Sequence, residues 1–377
     1  MKYYLIAGEA SGDLHGGNLI SQLKIADKNA VFRGFGGEKM EAAGMQLTVH
    51  YRQMAFMGAF EVLANLRKIN SNFVTCRKDI LEFKPDAVIL IDYAGFNLRM
   101  ARFAKENNIK TLFYISPKVW AWNKSRIKKI KAYIDQLYLI LPFEKEFYSR
   151  YGYNSTVYVG NPLTDAIDTF RNGEQISANE FRQQNGLNSR PVIALLAGSR
   201  KQEIIRLLPE MLKVSARFPE CQFVVAGAPS VPDSLYDKII KGTGVKIVYN
   251  QTYQLLSHAH AAIVASGTAT LETALFNVPQ VVVYKFNTVS FLMFRPFIWV
   301  KYFSLVNIIM NKPVVKEILQ FGIARKAHKE LGRILNDSVY YQQMKAGYAS
   351  LAEFIGSPGS SERAAKHIIE FLQTKQL

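Results

Sequence analysis

Two turns in the second half of the chain combine glycine with small hydroxyl side chains where a predicted strand passes into a predicted helix. They occur in the segments LLAGSR and ASGTATLE. Their candidate ligand-binding residues are Gly198, Ser199, Arg200, Ser266, Gly267 and Thr268. Unpaired N–H groups at the start of a helix bind anions, and a cation such as Arg200 strengthens such a site. Two turns of this kind predict a nucleotide diphosphate, and the alternative is that each turn only caps its helix.

A carboxylate follows the second turn at helical spacing. Glu272 lies four residues after Thr268, about one helical turn further on. An acid in this position suits a ribose diol, whereas the alternative is a solvent-exposed helix carboxylate. The sequence has no lysine-containing phosphate loop, no GxGxxG and no DxD motif. We therefore predict neither a cofactor nor a metal ion, so that helix N-termini and Arg200 would stabilise a departing diphosphate.

In the first half of the chain an acid stands at the end of an apolar strand. The strand AVILID ends at Asp92. A carboxylate at the C-terminal end of a parallel strand is suited to act as a general base, and helix capping is the alternative. The opening segment AGEASGDLHGG also passes from strand to helix, but Glu9 and Asp13 make it poorly suited to phosphate.

Charge and apolar patterning indicate an anionic and partly apolar partner. Lys and Arg number 47 against 30 Asp and Glu, a formal net charge of +17. Residues 54–73 carry an apolar helical stripe, which indicates either core or a helix in a membrane interface. The candidate membrane or acyl-chain residues of this stripe are Met57, Phe60, Val62, Leu63, Leu66 and Ile69. Residues 116–135 interleave tryptophan with lysine, which fits lipid phosphate, nucleic acid or a solvated basic helix.

The elements that must position these residues alternate between short β-branched runs and helical patterns, which is typical of parallel sheets. We predict strands at 3–7, 31–34, 87–92, 111–116, 136–141, 157–160, 192–197, 223–227, 246–249, 262–265 and 280–284. The predicted fold class is α/β, with two tandem Rossmann-like domains and a cleft between them. The domains are predicted at 1–170 and 191–345, with a linker at 171–190 and C-terminal helices at 346–377 that pack back on the first domain. The remainder after the last strand is predicted to be helical.

Several segments, taken in order, resemble the lipid-A-disaccharide synthase family. They are GEASGD (8–13), MGAFEV (57–62), YISPKVWAW (114–122), LPFEKEFY (141–148), LLAGSR (195–200), ASGTATLE (265–272) and KYFSLVNII (301–309). These segments span nearly the whole chain. GEASGD, SPKVWAW and ASGTATLE in combination are far more specific than any one of them.

The resemblance implies an inverting glycosyltransferase of the GT-B architecture, which has two Rossmann-like domains. It would join UDP-2,3-diacylglucosamine to 2,3-diacylglucosamine 1-phosphate through a β-1,6 bond and release UDP. The C-terminal domain would hold the UDP-sugar through the two anion turns, Glu272 and Asn307, and Asp92 would deprotonate the acceptor 6-hydroxyl. The candidate acceptor contacts in the N-terminal domain are Glu9, Ser11, Asp13, Asn97 and Trp120.

The same resemblance implies partners and a location. Both substrates carry acyl chains, and the excess cations would hold the protein on an anionic membrane surface. We expect a cytoplasmic protein, peripherally associated with the inner membrane, with no nucleic acid partner; the family also allows a homodimer formed by exchange of C-terminal segments. The chain departs from the family pattern at Gly95, which replaces the second acid of IDxPDFN, at Asn161, which replaces histidine, and at Ala197, which replaces proline.

Two other functions would use some of the same residues. A UDP-sugar 2-epimerase would share the nucleotide site but has no use for the apolar stretches. A nucleic-acid-binding protein would account only for the positive charge and for the segment that interleaves lysine with tryptophan.

Overall fold

The chain forms two compact units, Met1–Asp165 with Ser357–Leu377, and Ala166–Gly356. The computed structural model describes residues 1–54, 66–120, 124–286 and 301–374. Each unit contains one parallel sheet whose strands alternate along the chain with helices. The predicted α/β fold class, built on two Rossmann-like sheets, is confirmed.

The strands of the first unit are β1 (Lys2–Ala7), β2 (Val31–Gly36), β3 (Met45–His50), β4 (Ala87–Ile91), β5 (Lys110–Tyr114), β6 (Gln136–Leu139) and β7 (Thr156–Tyr158). Those of the second unit are β8 (Val192–Leu196), β9 (Gln222–Gly227), β10 (Lys246–Tyr249), β11 (Ala261–Ala265), β12 (Gln280–Tyr284) and β13 (Lys316–Leu319). The sheet orders are β3-β2-β1-β4-β5-β6-β7 and β10-β9-β8-β11-β12-β13. In each sheet the direction of winding reverses beside the first strand, between β1 and β4 and between β8 and β11.

The described helices before the second sheet are α1 (Ala10–Ala26), α2 (Glu38–Ala42), α3 (Leu66–Phe83), α4 (Ala94–Glu106), α5 (Arg126–Tyr133), α6 (Glu144–Arg150), α7 (Pro162–Asn172) and α8 (Ala178–Gln184). The later ones are α9 (Lys201–Ser215), α10 (Asp233–Ile240), α11 (Thr252–His258), α12 (Thr268–Leu275), α13 (Leu305–Met310), α14 (Ile323–Asn336), α15 (Ser338–Ile355) and α16 (Ser360–Thr374). Among the helices in the described ranges, none has the length and apolar character needed to cross a membrane.

Strand β1 shows why the sheet of the first unit is buried on both faces. Successive side chains of a strand point to opposite faces, and Tyr4 and Ile6 join one apolar cluster with Phe73 of α3. Tyr3 and Leu5 belong to a second cluster, which includes side chains of α1 and α16. Because both faces are covered, β1 is buried and free of charged residues from Tyr3 to Ala7, as is usual for parallel strands.

The last helix, α16, packs on α1 within the first unit. Its N-terminus is capped by Asp165, whose carboxylate accepts hydrogen bonds from the backbone N–H groups of Gly359, Ser360 and Ser361 at 2.7, 3.0 and 2.8 Å. Helix α15 belongs to the second unit. The segment 171–190 includes α8, which begins with a capping box at Ser177.

Every predicted strand is present, with ends within two residues of the predicted ones. The two strands that the sequence did not predict, β3 and β13, both lie at a sheet edge. Most of their residues are half-buried or exposed, because an edge strand lacks a neighbour on one side. Their hydrophobic signal is correspondingly weak, and the prediction that the chain is helical after β12 is wrong at β13.

Candidate functional site: two switch points and their turns

The C-terminal ends of β1 and β4 lie side by side, since Ala7 pairs with Ile91. Ligands of doubly wound sheets bind at such a switch point. Asp92 follows β4 directly, is half-buried, and has a φ of 45°, as does Tyr93. A non-glycine residue in the left-handed region costs about 1 to 2 kcal/mol, so this turn stores strain of the kind that is concentrated at functional sites. Within the described part of the chain, the Asp92 carboxylate has no hydrogen-bond or ion-pair partner.

Asn97 lies beneath this turn, in the first turn of α4. Its side-chain nitrogen donates to the carbonyl oxygens of Ile6, Ile91 and Asp92 at 3.3, 3.2 and 2.8 Å. The residue is 0% exposed. The side chain is buried against the backbone in this structure, and the predicted contact between Asn97 and the acceptor stays a prediction.

Tyr93 connects the same turn to the start of α1. Its hydroxyl donates to the carbonyl oxygen of Met54 at 2.7 Å. Its ring lies so close to Gly8 that a Cβ added there would be 2.4 Å from a ring carbon. Burial, with a smaller contribution from the charge of Glu9, raises the pKa of Tyr93 to about 12. Glu9 and the exposed Ser11 thus lie at the same edge of the sheet as Asp92.

Asp13 has a structural task that the sequence did not reveal. Its carboxylate is buried and accepts hydrogen bonds from the backbone N–H groups of Gly37, Lys39 and Met40 at 2.7, 3.0 and 3.0 Å. These groups lie at the N-terminal end of α2, where helices leave N–H groups unpaired. Asp13 therefore fastens α2 to α1, and its predicted contact with the acceptor stays a prediction.

A buried carboxylate, Glu144, joins the turns after β5 and β6. It is 1% exposed and accepts from the hydroxyl of Ser116 and from the indole N–H of Trp120, the latter at 3.1 Å. Its other oxygen accepts from the backbone N–H groups of Ile140 and Leu141 at 3.2 and 3.0 Å. Burial raises the pKa of Glu144, and these donors oppose that shift. The indole N–H of Trp120 is thus bonded to Glu144, and the predicted contact of Trp120 with the acceptor stays a prediction.

In the second unit, β8 and β11 are neighbours, and Leu196 pairs with Val264. The two anion-type turns therefore begin side by side at this switch point. Gly198 has a φ of 112°, which favours glycine. Ser199 is exposed, and Arg200 precedes α9 with its guanidinium 3.3 Å from the Glu203 carboxylate.

The second turn leads into α12. Ser266 donates its hydroxyl proton to the carbonyl oxygen of Phe303 at 2.8 Å. Gly267 is the N-cap of α12, and a Cβ added there would meet no atom of the described residues within 4 Å. Thr268 is the first residue of the helix. The N-terminal N–H groups of α12 are therefore not covered by a capping side chain.

Glu272 lies one turn along α12 and accepts a hydrogen bond from the Tyr253 hydroxyl at 3.1 Å. Burial raises the pKa of this carboxyl, and the hydrogen bond from Tyr253 opposes the shift. Tyr253 itself packs between Phe170 and Phe276. The aromatic neighbours hold the hydroxyl on one carboxylate oxygen, Oε1.

Asn307 of α13 is bonded within the second unit. It is 1% exposed, its nitrogen donates to the Val315 carbonyl and the Glu317 carboxylate at 2.9 and 2.8 Å, and its oxygen accepts from the N–H of Val315 at 2.9 Å. Both polar atoms of the side chain are thus bonded within the second unit, and direct contact with the donor stays a prediction. Glu317 also accepts from the N–H groups of Phe303 and Ser304, both at 2.9 Å. Asn307 and Glu317 together order the segment that receives the Ser266 hydroxyl.

The departures from the family pattern lie at separate places. Asn161 caps α7, since its side-chain oxygen accepts from the N–H of Leu163 at 3.1 Å. Gly95 faces space in which an added Cβ would meet no described atom within 4 Å. Ala197 is buried at the end of β8. Across the described residues, no group of three His, Cys, Asp or Glu side chains is arranged to hold a metal ion.

Two of the six candidate residues of the apolar stripe, Leu66 and Ile69, lie within the described residues. Met57, Phe60, Val62 and Leu63 lie outside the described residues. Leu66 is the first residue of α3. Ile69 is half-buried and packs against the core of the first unit. The assignment of the stripe to lipid therefore stays a prediction.

Comparison with known proteins identifies relatives of the whole chain. Residues 3–366 match the family described as lipid-A-disaccharide synthetase. A lipid-A-disaccharide synthase from Geobacter sulfurreducens is 36% identical over 375 residues, covering 98% of this chain and 96% of the relative. The corresponding synthase from Syntrophus aciditrophicus is 38% identical over 371 residues, covering 96% and 95%.

Among solved structures, a UDP-GlcNAc 2-epimerase from Neisseria meningitidis is similar in fold. The TM-score is 0.66 at 14% sequence identity, and the match covers 99% of this chain and 100% of the epimerase. At that identity the likeness concerns the fold alone.

The contacts of Glu144 allow a stability test that is independent of activity. Glu144→Gln retains the shape but leaves one terminal atom as a donor facing other donors, so we expect a loss of about 2 kcal/mol in the free energy of unfolding. Glu146→Gln, on the same helix, removes only an exposed ion pair to Arg150, and we expect a loss below about 0.5 kcal/mol. Urea unfolding of the two variants measures both values, and equal losses would show that the Glu144 contacts contribute little.

Proposed function

This chain belongs to the lipid-A-disaccharide synthetase family, and from that premise we propose how its residues divide the family's reaction. The reaction transfers a diacylglucosamine unit from UDP to the 6-hydroxyl of diacylglucosamine 1-phosphate, with inversion and release of UDP. The relatives at 36% and 38% identity carry the name of this activity. The epimerase at 14% identity shares the fold and supplies no competing function.

Asp92 is the general base in our proposal. The acceptor oxygen forms a bond to the anomeric carbon of the donor, its proton passes to the Asp92 carboxylate, and the bond between the anomeric carbon and the diphosphate oxygen breaks. The observation that supports this role is a half-buried carboxylate without a partner in the described residues, on a strained turn at the switch point. A base needs a free oxygen within reach of the hydroxyl that it deprotonates.

The second unit would hold the UDP moiety. We assign the diphosphate to the backbone N–H groups at the starts of α9 and α12 and to Arg200, which stabilise the negative charge of the leaving group. The Ser266 hydroxyl already donates to Phe303, so the main chain of this turn rather than its side chain is the proposed donor. Glu272, with Oε1 bonded to Tyr253, would accept from the ribose through Oε2.

The remaining acids of the first unit suit the acceptor. Glu9 lies at the start of α1 close to Tyr93, and Ser11 is exposed in the first turn of the same helix. A carboxylate and a hydroxyl at this edge can bind sugar hydroxyls. Because Asp13, Asn97 and Trp120 are bonded within the protein, Glu9 and Ser11 are the two acceptor contacts that we retain.

We also propose peripheral association with the cytoplasmic face of the inner membrane. Helix α5 supports this proposal, because its sequence contains no acid and its lysines are exposed while Ile127 and Ile130 are buried. The exposed lysines of this region are Lys124, Lys128, Lys129 and Lys131. Each lysine near an anionic membrane surface contributes about 1 kcal/mol of attraction.

The general-base assignment predicts the behaviour of Asp92→Asn. The amide cannot take the proton, so transfer should fall by at least about 100-fold, while the affinity for UDP stays within about threefold. Asp86→Asn is the matched control, since Asp86 lies at the opposite end of β4 and bonds the N–H of Lys2. Activity of Asp92→Asn within about tenfold of the parent would contradict the assignment.

The raised pKa of Glu272 predicts a pH dependence of donor binding. Only the ionised carboxylate accepts two hydrogen bonds, so affinity should fall as the pH is lowered through a pKa above the ordinary value for glutamate. UDP-N-acetylglucosamine is a suitable probe, because its diphosphate diester does not titrate between about pH 8 and about pH 5.5. Calorimetry should show this loss in the parent and in the exposed control Glu353→Gln, and a flat profile in Glu272→Gln. A profile of Glu272→Gln parallel to that of the parent would exclude Glu272.

Binding to vesicles tests the cationic surface of α5. Lys128→Glu/Lys129→Glu should reduce partitioning onto vesicles containing phosphatidylglycerol by more than about tenfold, because two favourable charge contacts become repulsive. Lys238→Glu/Lys241→Glu makes the same change of charge on exposed residues of the second unit. Sedimentation with anionic and with purely zwitterionic vesicles measures both variants. Equal losses in the two variants would point to net charge rather than to α5.

A further inference from the structure

Asn97 has an unusual set of partners for a buried amide. Its nitrogen donates to carbonyl oxygens from two adjacent strands, Ile6 of β1 and Ile91 of β4, and to that of Asp92 in the turn. The shortest of the three, at 2.8 Å, is the bond to Asp92 itself. A single side chain thus fixes the ends of both strands and the backbone of the residue proposed as the base.

The turn requires such support because its backbone conformation is unfavourable. Asp92 and Tyr93 both have a φ of 45°, and neither is glycine. Two such residues cost about 2 to 4 kcal/mol together, at about 1 to 2 kcal/mol each. Without Asn97, the carbonyl groups of Ile6, Ile91 and Asp92 would also each lose a hydrogen-bond donor. The amide therefore favours the strained conformation over a relaxed one.

The other hydrogen bonds of the turn involve different atoms of Asp92 and Tyr93. The backbone N–H of Asp92 donates to the Tyr114 carbonyl at 3.2 Å, and the hydroxyl of Tyr93 donates to the Met54 carbonyl at 2.7 Å. Neither contact reaches the Asp92 carbonyl. Of the described side chains, Asn97 is the one that bonds it.

We propose that Asn97 is a positioning residue of the transfer reaction, whose side-chain N–H groups hold the Asp92 turn so that the carboxylate points towards the acceptor hydroxyl. Asn97 does not touch the substrate in this proposal, because it is fully buried. The inference rests on the proposed function of Asp92 as the base. It adds that the reactivity of Asp92 depends on a neighbour five residues along the chain.

One substitution can test the role of Asn97, because the nitrogen and the oxygen of its amide differ in their hydrogen bonds. The Asn97 oxygen has no partner among the described residues, whereas the nitrogen has three. Asn97→Asp keeps the size and shape of the side chain, replaces the N–H donors with a carboxylate oxygen and adds a negative charge. Placing carboxylate oxygens opposite carbonyl oxygens should relax the turn.

The expected result for Asn97→Asp is a selective loss of turnover. We expect kcat to fall by about 30-fold to 100-fold, with the acceptor KM and the UDP affinity within about threefold of the parent. Gln222→Glu is the matched control: Gln222 is a buried amide of the second unit whose nitrogen donates to the carbonyls of Asn188 and Arg190 at 2.8 and 2.7 Å. In urea unfolding, Gln222→Glu should lose about as much free energy of unfolding as Asn97→Asp does. Its kcat should stay within about twofold of the parent.

Other outcomes would overturn the proposal. A kcat within about threefold of the parent would show that the turn holds itself, and a raised KM with unchanged kcat would indicate a direct acceptor contact instead. Should Asn97→Asp not fold, Asn97→Ser retains one donor on a shorter side chain, and the same split between kcat and KM is expected from it.

A crystal structure of the variant separates this inference from the proposed function. We expect the φ of Asp92 to leave the left-handed region in Asn97→Asp, and an unchanged turn would refute the role of the amide. That readout does not depend on activity. If Asp92→Asn stays active while the turn relaxes in Asn97→Asp, the base assignment fails and the structural role of Asn97 stands.

Discussion

The parallel pairing of β1 with β4, and of β8 with β11, is the constraint on which both candidate sites depend. A parallel sheet sends the C-terminal ends of its strands to one edge, and a reversal of winding leaves the turns there uncovered by a crossover helix. In the first unit the pairing of Ala7 with Ile91 brings the start of α1 beside Asp92. In the second, the pairing of Leu196 with Val264 brings two helix starts together. The chemistry of each unit follows from what the sequence places on its two turns.

Buried and half-buried acids organise the edges of the sheets. Asp13, Glu144, Asp165 and Glu317 each accept hydrogen bonds from two or three backbone N–H groups of nearby turns. Burial of a carboxylate is costly unless its oxygens are bonded, and loops leave unpaired N–H groups that need acceptors. The N–H groups therefore supply the hydrogen bonds that the carboxylate needs, and the carboxylate supplies the acceptor that the N–H groups need. Removing one such acid would therefore free several donors together, which explains why acids can be found where substrate contacts were expected.

The sequence predicted the parts of the fold that have periodic signals. Central strands such as β4 are apolar throughout because they are buried on both faces, so their positions could be predicted, whereas the edge strands β3 and β13 have no comparable signal. At the site, the residue types and their places after strands were enough to single out Asp92 and the two glycine turns. The directions of Asn97 and Asn307 were not predictable, because a short amide beside a turn can face either a ligand or the main chain. Which of the two occurs depends on carbonyl groups that tertiary folding brings near.

The charge distribution of the second unit bears on how a diphosphate could leave. The guanidinium of Arg200 lies 3.3 Å from Glu203, a residue in the first turn of the same helix. A neighbouring carboxylate partly offsets the positive charge, so Arg200 alone supplies less stabilisation than an isolated cation would. The fixed N–H dipoles of α9 and α12 do not change their charge and are already oriented, so they need no reorganisation as negative charge develops on the leaving group. We infer that a site of this kind stabilises the transition state through oriented dipoles. It also limits the net attraction for UDP after transfer, because the product bears more negative charge than the donor and the carboxylate of Glu203 repels it.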